Sequence, residues 1–509
     1  MEKIYLDGES LQLEEVERVA RCQARVEISP HALRKVQECR RYLERVIAQG
    51  SAIYGVNTGF GHLSHVRIDP QDILTLQRNL IYSHSAGVGP LFSEEEVRAI
   101  MLLRAHVLAK GYSGVRPEVI RTLVEMLNRS VIPEIPQKGS VGASGDLAPL
   151  AHLALVMIGE GEASYRGERL SGAEAMARAG IALLELQAKE GLSLINGTQV
   201  MTALGVLALL AGERLCTTAD IAGALTLEAV KGTNTPFLPQ IQRLRPHPGQ
   251  AACAHNLMIL LQDSGILLSH KYCPKIQDAY SLRCMPQVHG AARDAMAYVR
   301  KVLEVEVNAA TDNPLVFPEE DLVLTGGNFH GQPVSLALDL LGMGLAELGS
   351  ISERRIENLV NPTLSHLPAF LVERGGLNSG YMMLQVTAAA LVSENKILAS
   401  PASIDSIPTS ANKEDHVSMG PIAARKAREI LENVQRILAI ELLCGAQGLE
   451  FSDPKQAGRG ARKAYEMIRR EVPPLVEDRP LYREIEACLR LVREGIIVQE
   501  IRRELGELS

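Results

Sequence analysis

Tryptophan is absent from this 509-residue chain, and aromatic residues make up only 4% of it. A β-sandwich or barrel core draws on aromatic and β-branched side chains, so this scarcity favours helices packed through Leu, Ala, Val and Ile. The eight cysteines lie far apart with no Cys-x-x-Cys pair, which argues against both a zinc site and a disulfide framework. Lys and Arg are dispersed among more numerous acids, for a net charge of −7, and no basic stripe of the kind nucleic-acid binding requires is present. Long hydrophobic runs are missing too. The most apolar stretch, residues 200–212, is far short of the roughly 20 residues of a membrane span. The opening Met1-Glu-Lys-Ile-Tyr-Leu-Asp7 carries early acids and no apolar core of a signal peptide. These absences predict a soluble cytoplasmic protein with reduced thiols, no metal, and neither nucleic acid nor membrane as a partner.

What is there reads as globular and helical: 46% hydrophobic and 22% charged residues. Residues 3–12 read as a short β element turning at Asp7-Gly8, with helix from Glu14. Ser29-Pro30 is a helix start, and Ser93-Glu-Glu-Glu96 is a capping box. A small hairpin is expected around Arg166-Gly167, and the strongest later β candidate is residues 315–324. The stretches 331–360, 380–400 and 417–448 predict long helices with wide apolar faces, hence a bundle buried partly against other subunits. The expected fold is mainly α, an elongated bundle of long helices with a smaller mixed α/β N-terminal region. The expected division is 1–230 and 231–509, with no linker between.

The stretch of most chemical interest is Gly139-Ser-Val-Gly-Ala-Ser-Gly-Asp-Leu-Ala-Pro-Leu150. Small residues and glycine leave the backbone of Ala143-Ser144-Gly145 free to fold onto itself. Attack of the Gly145 nitrogen on the Ala143 carbonyl carbon, followed by loss of two waters, would make an electrophilic five-membered imidazolone. A serine-hydrolase elbow, Gly-x-Ser-x-Gly, fits poorly: the second glycine comes one place early and no strand precedes it. Asp146-Leu-Ala-Pro149 predicts a helix start with Asp146 as its cap, placing the tripeptide at a helix N-terminus, where negative charge is favoured.

Gly142-Ala-Ser-Gly-Asp-Leu-Ala-Pro-Leu150 resembles the signature of the aromatic amino acid ammonia-lyases and related aminomutases. Tyr54-Gly-Val-Asn-Thr-Gly-Phe-Gly61, Asn196-Gly-Thr-Gln199, Gln277-Asp-Ala-Tyr-Ser-Leu-Arg283, Asn328-Phe-His-Gly331 and Glu414-Asp-His-Val-Ser-Met419 resemble further motifs in family order. The resemblance implies that Ala143-Ser144-Gly145 cyclises unaided to 4-methylidene-imidazol-5-one, with no external cofactor. It also implies a helical homotetramer whose active sites are shared between subunits.

By the same resemblance Tyr54 is the base, Asn196 contacts the imidazolone or the substrate, Gln277 and Tyr280 lie in the pocket, and Phe329 packs by the ring. Arg283 is a natural clamp for the substrate carboxylate, because a planar guanidinium can hold both oxygens. Tyr280 stands three residues before it, on one face if the segment is helical. Two positions bear on the small-molecule amino acid taken. Glu414 marks histidine-type members, and a carboxylate suits an imidazole. His84 is compatible with that choice but also occurs in tyrosine-selective relatives. Lys413 departs from the usual Gln and sets an ammonium beside Glu414 in sequence. The expected reaction is deamination of L-histidine to trans-urocanate and ammonia, the first step of histidine degradation. The alternatives are a lyase or aminomutase for tyrosine or phenylalanine, or a non-catalytic helical scaffold.

Overall fold

The computed structural model describes residues 2–50, 52–272 and 275–509. Among them are 21 α-helices and nine short strands, the mainly helical fold that the scarcity of aromatics predicts. The helix starts read from the sequence are present. Ser29 accepts the Ala32 N–H at 3.1 Å ahead of helix Pro30–Ala48, and Ser93 and Glu96 form a reciprocal capping box before Glu94–Ala109.

Contacts gather the chain into two compact units, and four of the five boundaries between their segments fall inside helices. They do not coincide with the expected division at residue 230. The first unit holds residues 1–207, 300–339 and 401–425, and the second holds the rest. Periodicity reports which stretches are helical, whereas unit membership depends on packing between residues remote in sequence.

All nine strands lie in the first unit, in small separate sheets. Glu2–Leu6 pairs in parallel with Ala24–Ile28 and turns at Asp7, whose carboxylate accepts the Glu9 and Ser10 N–H groups. Glu162–Tyr165 and Glu168–Ser171 form the hairpin around Arg166-Gly167, and Leu315–Phe317 and Leu322–Leu324 form the later one. Helix Glu94–Ala109 is central: every residue from Glu96 to Ala109 is buried. It gives no face to water, buries Arg98, Arg104 and His106 among its apolar residues, and packs against Leu13–Ala20 and Pro117–Asn128.

The described part of the second unit is helical. Its interior holds paired charge: Arg355 binds Glu441 through two nitrogens, and Asp220 is shared by His289 at 2.7 Å and Arg293 at 2.6 Å. Cys253 completes that cluster, with its sulfur 3.0 Å from Asp220 Oδ1, and burial raises its thiol well above the ordinary value. Helix Gln199–Ala229 runs well past the apolar stretch expected at 200–212. It and Gln332–Val360 are long and apolar enough to cross a membrane, yet most of each apolar window is buried within the protein, as in core helices. The seven described cysteines are all free.

Candidate active site

Ala143-Ser144-Gly145 is held by a second chain segment. Gly197 donates its N–H to the Ser144 carbonyl at 3.2 Å, and its own carbonyl accepts the Asp146 N–H at 2.7 Å. The approach requires glycine. Gly145 has φ +75°, and a Cβ there would stand 2.0 Å from the Gly197 oxygen. Gly142 also takes positive φ, +71°, and a Cβ there would meet Ser418 Oγ at 2.3 Å. The Gly145 N–H makes no hydrogen bond among the described residues, so the nitrogen that ring closure needs is unengaged.

Asp146 does not cap its own helix, Leu147–Met157. Its Oδ2 instead accepts the N–H groups of Val200 and Met201, capping Gln199–Ala229. Two helix N-termini therefore adjoin the tripeptide, where the sequence indicated one. Burial pushes the Asp146 carboxyl up to about 7, against the opposing effect of the two N–H donors.

Ser144 faces a cavity of about 630 Å³ within the first unit. Tyr54, His84, Asn196, Phe329 and Glu414 line the same space, so six expected site residues meet there. Tyr54 sits edge-on to Phe60, and its hydroxyl oxygen accepts the Gly61 N–H at 3.2 Å. His84 Nδ1 lies 2.9 Å from the Leu80 carbonyl, an acceptor, so that nitrogen carries the proton. Burial holds His84 below the ordinary imidazole value, the Leu80 carbonyl and Glu414 opposing it, and the neutral ring leaves Nε2 as an acceptor.

Glu414 is half-buried, although Lys413, Asp415 and His416 around it are exposed. Ser144 Oγ stands 3.4 Å from its Oε1, and Thr409 Oγ1 donates to Oε2 at 2.6 Å. The backbones of Thr409 and Glu414 pair across a tight loop in which Ser410, Ala411 and Asn412 all take left-handed φ, a costly conformation that this pairing holds. Lys413 is exposed and makes no ion pair with Glu414, so the sequence neighbour does not neutralise the carboxylate.

A family model for aromatic amino acid lyases matches residues 11–470. The chain belongs to the aromatic amino acid lyase family. It is 55% identical over 500 residues to a histidine ammonia-lyase of Stigmatella aurantiaca, a match covering 98% of each chain. Among solved structures, a histidine ammonia-lyase from Trypanosoma cruzi is 43% identical, with a TM-score of 0.92 over 99% of this chain and 96% of that one. A tyrosine aminomutase from Streptomyces globisporus is 41% identical, with a TM-score of 0.95 over the whole of both chains.

Five expected site residues of this aromatic amino acid lyase do not line the cavity: Ala143 and Gly145, which flank Ser144 in the chain, and three that lie elsewhere. Gln277, Tyr280 and Arg283 belong to the second unit. Gln277 lines a separate cavity there, and Tyr280 is 72% exposed. The expected shared face is realised: Tyr280–Arg283 is a short helix, with the Arg283 guanidinium 4.6 Å from the Tyr280 ring centre. Gly197 lies in a motif read from the sequence, but the supports behind the cavity at Thr409, Arg104, Lys189 and Asp312 were missed. None has a local signature, because each acts on a residue distant in sequence or through its backbone.

Proposed function

We propose that this chain deaminates L-histidine without oxidation, giving trans-urocanate and ammonia. One observation carries the choice of substrate: a carboxylate, Glu414, stands in the same cavity as Ser144, 3.4 Å from its hydroxyl. A carboxylate and the neutral His84 Nε2 are both acceptors that an imidazole N–H can meet, and a plain phenyl ring offers neither of them a donor. The 55% identity to a histidine ammonia-lyase supports the same reading.

Ala143, Ser144 and Gly145 have the composition and the close glycine packing that a 4-methylidene-imidazol-5-one requires, with the ring-closing nitrogen unengaged. Once formed, that group supplies an electron-poor carbon that no ordinary side chain offers, and no external cofactor is needed. Elimination breaks the substrate's Cβ–H and Cα–N bonds and makes a Cα–Cβ double bond. The proton goes to the Tyr54 oxygen, which must be a phenolate to take it, and the Gly61 N–H donates to that oxygen and favours its charged form before the transfer. The electron pair of the Cα–N bond leaves with the amine. Phe329 lines the same cavity as Ser144.

The substrate carboxylate needs a cation, and the cavity lining contains no Lys or Arg. Arg283, with Tyr280 and Gln277, fills that role from neighbouring subunits of a homotetramer. Helix Met382–Leu398 supports assembly: few of its residues are buried, and Met383, Val386 and Ile397 are exposed apolar side chains. The free cysteines fit a reducing cytoplasm.

The test is a panel of L-histidine, L-tyrosine and L-phenylalanine, read by ultraviolet absorbance of the products, with intact mass measured alongside. Urocanate from histidine, and a mass two waters below the sequence that returns to full in Ser144→Ala, would bear the proposal out. A β-amino acid product, a preference for phenylalanine or a full-length mass would each overturn it.

A further inference from the structure

Asn196 presents only one of its two polar side-chain atoms to the cavity. Its amide nitrogen lies 3.1 Å from Asp312 Oδ1 and 3.3 Å from the Asn313 carbonyl oxygen. Both neighbours accept and neither donates, so the atom facing them is the NH2 group and not the amide oxygen. Two N–H bonds meet two acceptors, and the nitrogen is fully engaged. The amide oxygen has no partner among the described residues and is not sealed in protein, although Asn196 as a whole is buried.

The orientation is held from behind. Asp312 is wholly buried, and its Oδ2 receives the Lys189 ammonium at 2.8 Å while its Oδ1 accepts from Asn196 and from the Asn313 N–H. Burial alone would raise its carboxyl, but Lys189 and Arg104 hold it below the ordinary value, so it stays an acceptor. Arg104 NH1 fixes the Asn196 backbone by donating to its carbonyl at 2.8 Å. The next residue, Gly197, is paired to Ser144 and Asp146, which sets the Asn196 side chain beside the reactive segment.

We infer that Asp312 is a positioning residue that turns the Asn196 amide oxygen into the cavity, where it accepts a hydrogen bond from the substrate's amine. An amine or ammonium offers only N–H donors near Ser144, and a lone carbonyl-type oxygen is complementary to it; a carboxylate would be repelled. The inference rests on the amino acid lyase reading above and names which atom of the substrate Asn196 serves.

Asp312→Asn tests the orientation. Lys189 still demands an acceptor, so the new amide gives Lys189 its oxygen and turns its NH2 toward Asn196, whose own amide must then reverse. The expected result is a rise of about tenfold or more in KM for L-histidine. Imidazolepropionate keeps the ring and the carboxylate but lacks the amine, and its inhibition constant should stay within about twofold, since no hydrogen bond to it is lost. Replacing the cation as well, in Lys189→Met/Asp312→Asn, frees the new amide to present its oxygen to Asn196 and should restore most of the histidine affinity. Asn196→Leu, which makes no demand on the buried ion pair, should reproduce the selective loss whether or not the single Asp312 variant folds. Parallel loss of both ligands in either variant, or a double variant as impaired as the single one, would overturn the inference. A wild-type chain that forms no urocanate would overturn the functional reading beneath it, a result distinct from these.

Discussion

Gly145 and Gly197 pack so closely that a methyl group on Gly145 would stand 2.0 Å from the Gly197 carbonyl oxygen. The contact lets the Ser144 carbonyl and the Asp146 N–H pair with one glycine, holding both ends of the reactive bend. Gly145→Ala also forces a side chain into φ +75°. The variant should be a helical protein by circular dichroism whose intact mass equals its sequence, with no turnover. A two-water deficit with normal activity in that variant would show the close approach to be dispensable.

Tyr54→Phe keeps the edge contact with Phe60 and removes only the hydroxyl that meets the Gly61 N–H. Turnover of histidine should fall by about a hundredfold to ten-thousandfold, the range expected for loss of a general base, while the unfolding midpoint moves little. Activity within a few fold of wild type would remove Tyr54 as the proton acceptor.

Glu414→Gln retains an oxygen for the Thr409 hydroxyl but loses the charge. The kcat/KM for histidine should drop by about tenfold or more, because hydrogen bonds to charged groups are the stronger class. The value for phenylalanine, which has no ring N–H, should change far less. Equal losses on both substrates would place Glu414 in the chemistry common to them and not in ring recognition.

Features set by near neighbours along the chain are legible in the amino-acid sequence. Ser29-Pro30 and Ser93-Glu96 start helices because a cap acts within three residues of itself. Five of the six cavity residues belong to motifs, each short and contiguous, His84 standing outside them, and the fold brings all six together. The supports are not legible in the same way. Asp146 caps a helix that begins more than 50 residues later, and Asp312 reaches Asn196 across 116 positions. Such contacts follow from the path of the whole chain, which no local pattern encodes. Glu414 shows the limit most clearly: its motif is legible, but Thr409, five residues earlier and outside that motif, accounts for its placement by pairing through both side chain and backbone.

Two buried groups give opposite pH slopes to stability. The Asp146 carboxyl, pushed up to about 7 from the ordinary 3.8 by burial, keeps a proton in the folded chain that the unfolded chain has already released. Its contribution therefore falls as pH rises from about 4 to about 7, and is constant above that. His289 runs the other way. Its Nδ1–H bonds Asp220, its Nε2 can only accept from Arg355, and burial lowers its value below 6.5. The unfolded chain binds that proton first, so stability is lost as pH falls below about 6.5. Asp146→Asn preserves an acceptor for Val200 and Met201 and removes only the first slope. Urea unfolding across this window should show the variant gaining on wild type as pH rises from about 4 to about 7, with the gain levelling off above. A difference that does not vary with pH would mean that Asp146 ionises at the ordinary carboxylate value despite its burial.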